Sequence, residues 1–156
     1  MVPRMLVADG SSAVLNVSSA GAHIGLPFGA AYCVAKAGVF SLTQSLRVEM
    51  DSRRVSFTCV CPGSFDTNIW AVATELGDGP PDLIDRIGAL VDPTGRAAPT
   101  VARKAVAATL AGRAVVNIFW ESWVLNLASR VLPHQWLSFL CRRFFMRKFP
   151  SLTCSP

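Results

Sequence analysis

The sequence is poor in charge and in side chains that hold metals. It has one tyrosine and two histidines, and none of its five cysteines stands in a C-x-x-C pair. Charged residues make up 16% of the chain and apolar residues 51%, which excludes an intrinsically disordered segment. With histidine confined to His23 and His134, no metal-ligand spacing exists and no metal site is expected. The odd count of cysteines argues against a disulfide scaffold and for reduced thiols. Cys59 and Cys61 alternate within an apolar run and read as small packing residues on one strand face. The start, MVPRMLVADG, lacks the apolar stretch of a secretory leader. The apolar tract near the C-terminus is interrupted by Asn117, Glu121, Asn126 and Arg130, short of the ~18 residues expected of a membrane span. A cytoplasmic location is the expectation, and the length of 156 residues suits one domain of ordinary size.

Negative charge is nearly missing from the last third. Residues 101–156 carry eight basic residues and one acid, Glu121, whereas residues 1–100 carry seven basic and nine acidic ones. The tail WLSFLCRRFFMRKF interleaves bulky apolar residues with Arg142, Arg143, Arg147 and Lys148. Two readings stand: peripheral contact with an anionic membrane surface, or, preferred, a terminal helix that covers a site and keeps its basic face in water. No nucleic-acid motif surrounds the cluster, so no nucleic-acid partner is expected.

Punctuation by glycine and proline divides the chain. Residues 13–17 form a short β-prone apolar run closed by Ser18 and Ser19, and residues 20–30 read as a loop. From Ala31 to Met50 the pattern turns helical, with Val34, Gly38, Leu42 and Leu46 on one stripe. Residues 55–61 are a second strand, stopped by Pro62-Gly63. The stretch 64–99 is long for a loop, with short helices expected near 68–75 and 82–90, and such an insertion suits the cover of a site. Pro99-Thr100 opens a helix that Gly112 ends, 114–119 is a third strand, and 121–148 is helical with a break at Pro133. The alternation predicts an α/β fold with a parallel sheet of about three strands and flanking helices. Residues 1–120 make the sheet-bearing part, and 121–156 a C-terminal helical basic extension.

Chemistry concentrates in the first half. Tyr32 and Lys36 stand four apart at a helix start, so their side chains share a face. A phenol ordinarily ionises near pH ~10. An ammonium about one turn away favours the phenolate, and a phenol so tuned can exchange a proton with a substrate oxygen near neutral pH. Ser19 lies just past a strand end, where sites collect in parallel sheets, and its hydroxyl can orient a carbonyl oxygen. Pro62-Gly63, at the next strand end, opens the same rim. Taken singly, such a tyrosine is most often a packing residue and such a lysine a solvated one. His23 and His134 read as surface or loop residues, and Trp120, Trp123 and Trp136 as core or interface.

N-V-S-S at 16–19, Y-C-V-A-K at 32–36 and P-G-S-F-D-T at 62–67, in that order, resemble the catalytic half of a classical short-chain dehydrogenase/reductase. P-T-V-A-R-K-A-V at 99–106 is similar to that family's helix before its last core strand, and the resemblance covers about residues 1–120. It implies a partial Rossmann-type, doubly wound sheet. It implies catalytic Ser19, Tyr32 and Lys36, with Tyr32 as general acid/base, Lys36 lowering its pKa and holding the nicotinamide ribose, and Ser19 placing the substrate carbonyl. Cofactor contacts fall to Tyr32, Lys36, Pro62, Gly63, Phe65 and Thr67. The implied reaction is hydride transfer between an alcohol and a carbonyl of a small molecule with NAD or NADP. The apolar character of 64–98 and of the tail suits a lipophilic substrate.

The family's G-x-x-x-G-x-G turn, which brings a cofactor pyrophosphate to a helix N-terminus, is not found. Gly21, Gly25 and Gly29 mimic it, but Pro27 takes the third glycine's place and the run lies between Ser19 and Tyr32. The asparagine-rich segment before the serine is also missing. At ~30 residues per βαβ unit, on the order of 100 residues of the family fold are unaccounted for. The expectation is therefore a truncated chain carrying an oxidoreductase's catalytic part. The alternative is a non-catalytic fragment that pairs with a related subunit through an exposed strand edge and the long helix. Homo-oligomerisation through helix 31–50 fits either.

Overall fold

The computed structural model describes residues 10–26, 29–50, 54–66 and 96–148, and the isolated position 5. Its elements run β1 (Ser12–Val17), a 3-10 turn (Ala20–Ala22), α1 (Ala30–Glu49), β2 (Val55–Pro62), α2 (Ala98–Leu110), β3 (Val115–Ile118), α3 (Trp120–Val131) and α4 (His134–Lys148). The two short helices expected within 64–99 lie outside the described residues. The three strands form one parallel sheet in the order β1-β2-β3, with Ser12 opposite Val55 and Cys59 opposite Val115. The α/β, Rossmann-type architecture is as the sequence predicts.

Parallel strands need a crossover between them, and α1 and α2 supply the two that join β1 to β2 and β2 to β3. β2 therefore lies in the middle and is covered on both faces. Val55, Phe57, Cys59, Val60 and Cys61 are each 1% exposed or less. The alternation of Cys59 and Cys61 does not separate an inner from an outer face, because this strand has no outer face. The Cys61 thiol pKa is pushed well up, first by hydrogen bonding with the Cys59 thiol and then by burial. The same contact holds Cys59 below its ordinary value, against burial.

The main apolar cluster joins Val60 to Val101 and Ala105 of α2 and Ile118 of β3, with Leu15, Phe65, Val116 and Phe119 packed around it. α2 is cut cleanly at both ends. A proline sits in its first turn, and Gly112 follows its end at φ +67. There Arg113 N donates to Ala108 O and Gly112 N to Thr109 O, the paired closure that a left-handed residue after a helix permits.

α1 is fastened to the sheet by polar groups as much as by apolar ones. Thr43, fully buried, donates to Val39 O at 2.7 Å and accepts from Asn16 Nδ2 at 3.0 Å. The Arg47 guanidinium donates to Phe57 O. The stripe of Val34, Gly38 and Leu42 faces the other way: Val34 is 73% and Leu42 57% exposed. For the tryptophans, read as core or interface, the structure excludes the core. Trp120, Trp123 and Trp136 are all more than half exposed, so none belongs to the core. They ride on α3 and α4, which lie beyond the sheet and bury little besides Ser122 and Leu137. No helix among the described residues is long and apolar enough to cross a membrane.

Phe57 is 1% exposed at the centre of this arrangement. Phe57→Ala should lower unfolding stability by about 3–5 kcal/mol, read from the midpoint of a urea unfolding curve.

Candidate active site

The carboxyl ends of β1 and β2 open onto one rim, and the candidate residues gather there because both strands run the same way. Ser18 continues the ladder past β1, its N–H donating to Val60 O at 2.8 Å. Its hydroxyl, 3% exposed, donates to the Lys36 carbonyl at 2.7 Å. The first of the two serines thus ties the strand end to the helix that bears Tyr32 and Lys36, a role that spacing alone does not reveal.

Ser19 is freed to face the site. Its backbone is extended and it caps the 3-10 turn, its Oγ accepting from Gly21 N at 3.1 Å. A serine hydroxyl so engaged keeps its own proton and a second lone pair for a ligand. The turn brings Gly21, buried, against the tyrosine. A Cβ on Gly21 would sit 3.1 Å from Tyr32 Cε1 and 3.6 Å from Ser19 Oγ. The ring edge and the serine hydroxyl therefore converge on one point, and glycine is what lets them approach it. Lys36 Nζ lies 5.8 Å from the Tyr32 ring centroid and donates to Val17 O at 3.4 Å. The structure thus brings Ser19, Tyr32 and Lys36 together at one strand end. This set can hold a carbonyl oxygen, hand it a proton and place a cation beside the phenol.

Gly63, at the end of β2, donates to Ile118 O at 2.8 Å. The side chain of Glu121 lies across its α-carbon, so that a Cβ there would meet Glu121 Cδ at 3.0 Å. Glu121 is ion-paired with Arg96, whose guanidinium stacks over the Phe119 ring at 4.1 Å. Lys104 approaches the same ring at 5.2 Å. Phe119 takes φ +75, a region that side-chain-bearing residues rarely adopt, at the junction of β3 and α3. Sequence reasoning missed this assembly. The available signal was the lone acid, Glu121, in a strongly basic segment directly after a strand. Phe65 packs against the Val60–Ile118 core. Asp66 N donates to Arg96 O at 2.9 Å. Thr67 lies outside the described residues.

Beside the rim, an open cleft of about 600 Å³ is bordered by the loop Gly21–Leu26, by Cys33, Val34 and Ala37 of α1, and by the inner face of α4. Gly21 belongs to the cleft wall and also lies between Ser19 Oγ and the Tyr32 ring edge. Most of the lining is apolar, with His23 and Arg142 among its polar members. His23 stands edge-on to Phe40 at 5.3 Å, and its Nε2 is buried without a hydrogen-bond partner. Burial lowers its pKa below the ordinary 6.5; hydrogen bonding with the Asn117 side chain opposes this, and the charge of Arg130 adds to it.

Comparison with known proteins gives this rim a context. The short chain dehydrogenase family model matches residues 1–76. "Probable oxidoreductase EphD" of Mycobacterium tuberculosis (strain ATCC 25618 / H37Rv) is 34% identical over 128 residues, 77% of this chain and 21% of that protein. A short-chain dehydrogenase from Streptomyces avermitilis superposes with a TM-score of 0.59 at 20% identity, covering 97% of this chain and 54% of that one. A short chain dehydrogenase from Burkholderia cenocepacia, solved with NADP, superposes with a TM-score of 0.53 at 21% identity, covering 84% of this chain and 47% of that one. The chain thus spans about a fifth of the curated relative and about half of each solved structure. The family match runs through Ser19, Tyr32, Lys36 and Gly63, and the sheet is shared with both solved folds: the chain belongs to the short-chain dehydrogenase/reductase family.

Proposed function

We propose that this chain carries the catalytic residues of an NAD(P)-dependent oxidoreductase that interconverts an alcohol and a carbonyl. The observation that carries the reading is the convergence of the Tyr32 ring and the Ser19 hydroxyl on Gly21, with Lys36 one helical turn behind the ring. In this reading Ser19 donates to the substrate oxygen and fixes its direction. Tyr32 gives that oxygen a proton during reduction and takes it back during oxidation. Lys36 stabilises the charge that develops on the phenol and binds ribose hydroxyls.

The described residues fit the nicotinamide-ribose end of the cofactor. An ammonium has three donors, and Lys36 Nζ makes a single long bond of 3.4 Å to Val17 O, which leaves it able to turn to a ribose. When bound, NAD or NADP supplies or takes the hydride. Pro62, Gly63, Phe65 and Thr67 are the positions of this chain that would flank the nicotinamide. The pyrophosphate end finds no glycine-rich turn in this sequence. The apolar cleft sharing Gly21 with the site favours a lipophilic carbonyl or alcohol as substrate.

A second reading is favoured by the exposed Val34–Leu42 stripe of α1: association with a second copy or a related subunit through this helix. It is compatible with catalysis and also stands without it.

Three outcomes test these readings. Tyr32→Phe should lower NAD(P)H-dependent reduction of an apolar ketone by roughly 10²–10⁴-fold while the circular-dichroism spectrum stays unchanged. Wild-type chain that binds neither NADH nor NADPH in a fluorescence titration, and turns over no such ketone, would leave association alone. Leu42→Glu should shift the chain towards monomer in sedimentation velocity; an unchanged profile removes α1 as the interface. For His23, the fold favours the neutral ring, so its contribution is fully present above pH 6.5 and is lost as pH falls through the lowered folded-state value. The thermal midpoint should fall on acidification across that window, and His23→Gln should flatten the fall.

A further inference from the structure

α4 is a helix with two working faces. Its inner face buries Leu137 and, through Ser138, Cys141 and Met146, walls the cleft. Its outer face is neither polar nor neutral. Trp136 is 59%, Phe139 55% and Leu140 48% exposed. Arg143 and Arg147, both exposed, follow Trp136 and Leu140 at helical spacing and so lie on the same face. α4 contains no carboxylate, and the one acid of residues 101–156, Glu121, is held by Arg96.

From this we infer that the outer face of α4 docks on an anionic lipid surface. Large aromatic side chains in water beside unbalanced cations are costly on a free surface. At a headgroup boundary the indole and phenyl rings enter the apolar side while the guanidiniums meet phosphates. A second copy of this same face is the poorer occupant, because it would set arginines against arginines. The inference does not rest on the catalytic reading; it needs only the position of α4.

The test is flotation of the full chain with vesicles of phosphatidylcholine alone and of phosphatidylcholine with phosphatidylglycerol. The expected result is flotation with the phosphatidylglycerol vesicles only, weakening as salt rises. Arg143→Glu with Arg147→Glu should reduce it by roughly tenfold or more. Trp136→Ser with Phe139→Ser should reduce it too, because these rings enter the boundary. All four positions are exposed, and an unchanged circular-dichroism spectrum checks the fold of each variant. No flotation with either vesicle overturns the proposal, as does equal flotation with both. Full binding by the Trp136→Ser, Phe139→Ser variant overturns insertion. An oligomer in the absence of lipid that the same variant dissolves assigns this face to a second copy instead.

Discussion

β2 has water on neither face, and the rest of the molecule is arranged to keep it so. A parallel strand cannot be reached by a tight turn, so covering β2 on both sides requires α1 and α2 as crossovers. Those crossovers make the three strands end at one rim, and the rim is where Ser19, Tyr32, Gly63 and Glu121 emerge. The apolar cluster of Val60, Val101, Ala105 and Ile118 and the polar ties of Thr43, Arg47 and Ser18 serve the same constraint. They hold helices of modest apolar content against a strand that must stay dry.

The rim divides into two halves of different character. On the β1 side the contacts are small and close: a serine, a glycine and the edge of a tyrosine ring, with a buried serine locking the helix behind them. On the β2 side a charged pair and an aromatic platform stand over Gly63. A side chain would be tight at both Gly21 and Gly63, crowding a ring at the first and a carboxylate at the second. Both glycines mark places where side chains from distant parts of the chain must pass close to the backbone.

Much of this was legible beforehand. The three strands and α1 and α2 fall within a residue or so of their sequence boundaries, because Gly10, Pro62-Gly63, Pro99 and Gly112 punctuate the chain. The grouping of Ser19, Tyr32 and Lys36 followed from ordered spacing and a strand end. What stayed hidden depended on three-dimensional neighbours. Spacing favours Ser19 over its structural neighbour Ser18 as the site serine, but it does not say that the Ser18 hydroxyl finds the Lys36 carbonyl. Trp120, Trp123 and Trp136 have the composition of a core, yet their burial is decided by what lies opposite α3 and α4. The approach of Glu121 to Gly63 joins residues far apart in the chain, and no local pattern encodes it.

The parallel register also has a consequence for how the chain is made. Ser12 pairs with Val55 and Cys59 with Val115, so each strand waits for a whole helix to be synthesised before its partner arrives. Contacts of such long sequence separation form slowly. Between the emergence of β2 and that of β3, the run VSFTCVC has one open edge and no charge to guard it. In that interval β2 is an apolar edge open to pairing with another chain.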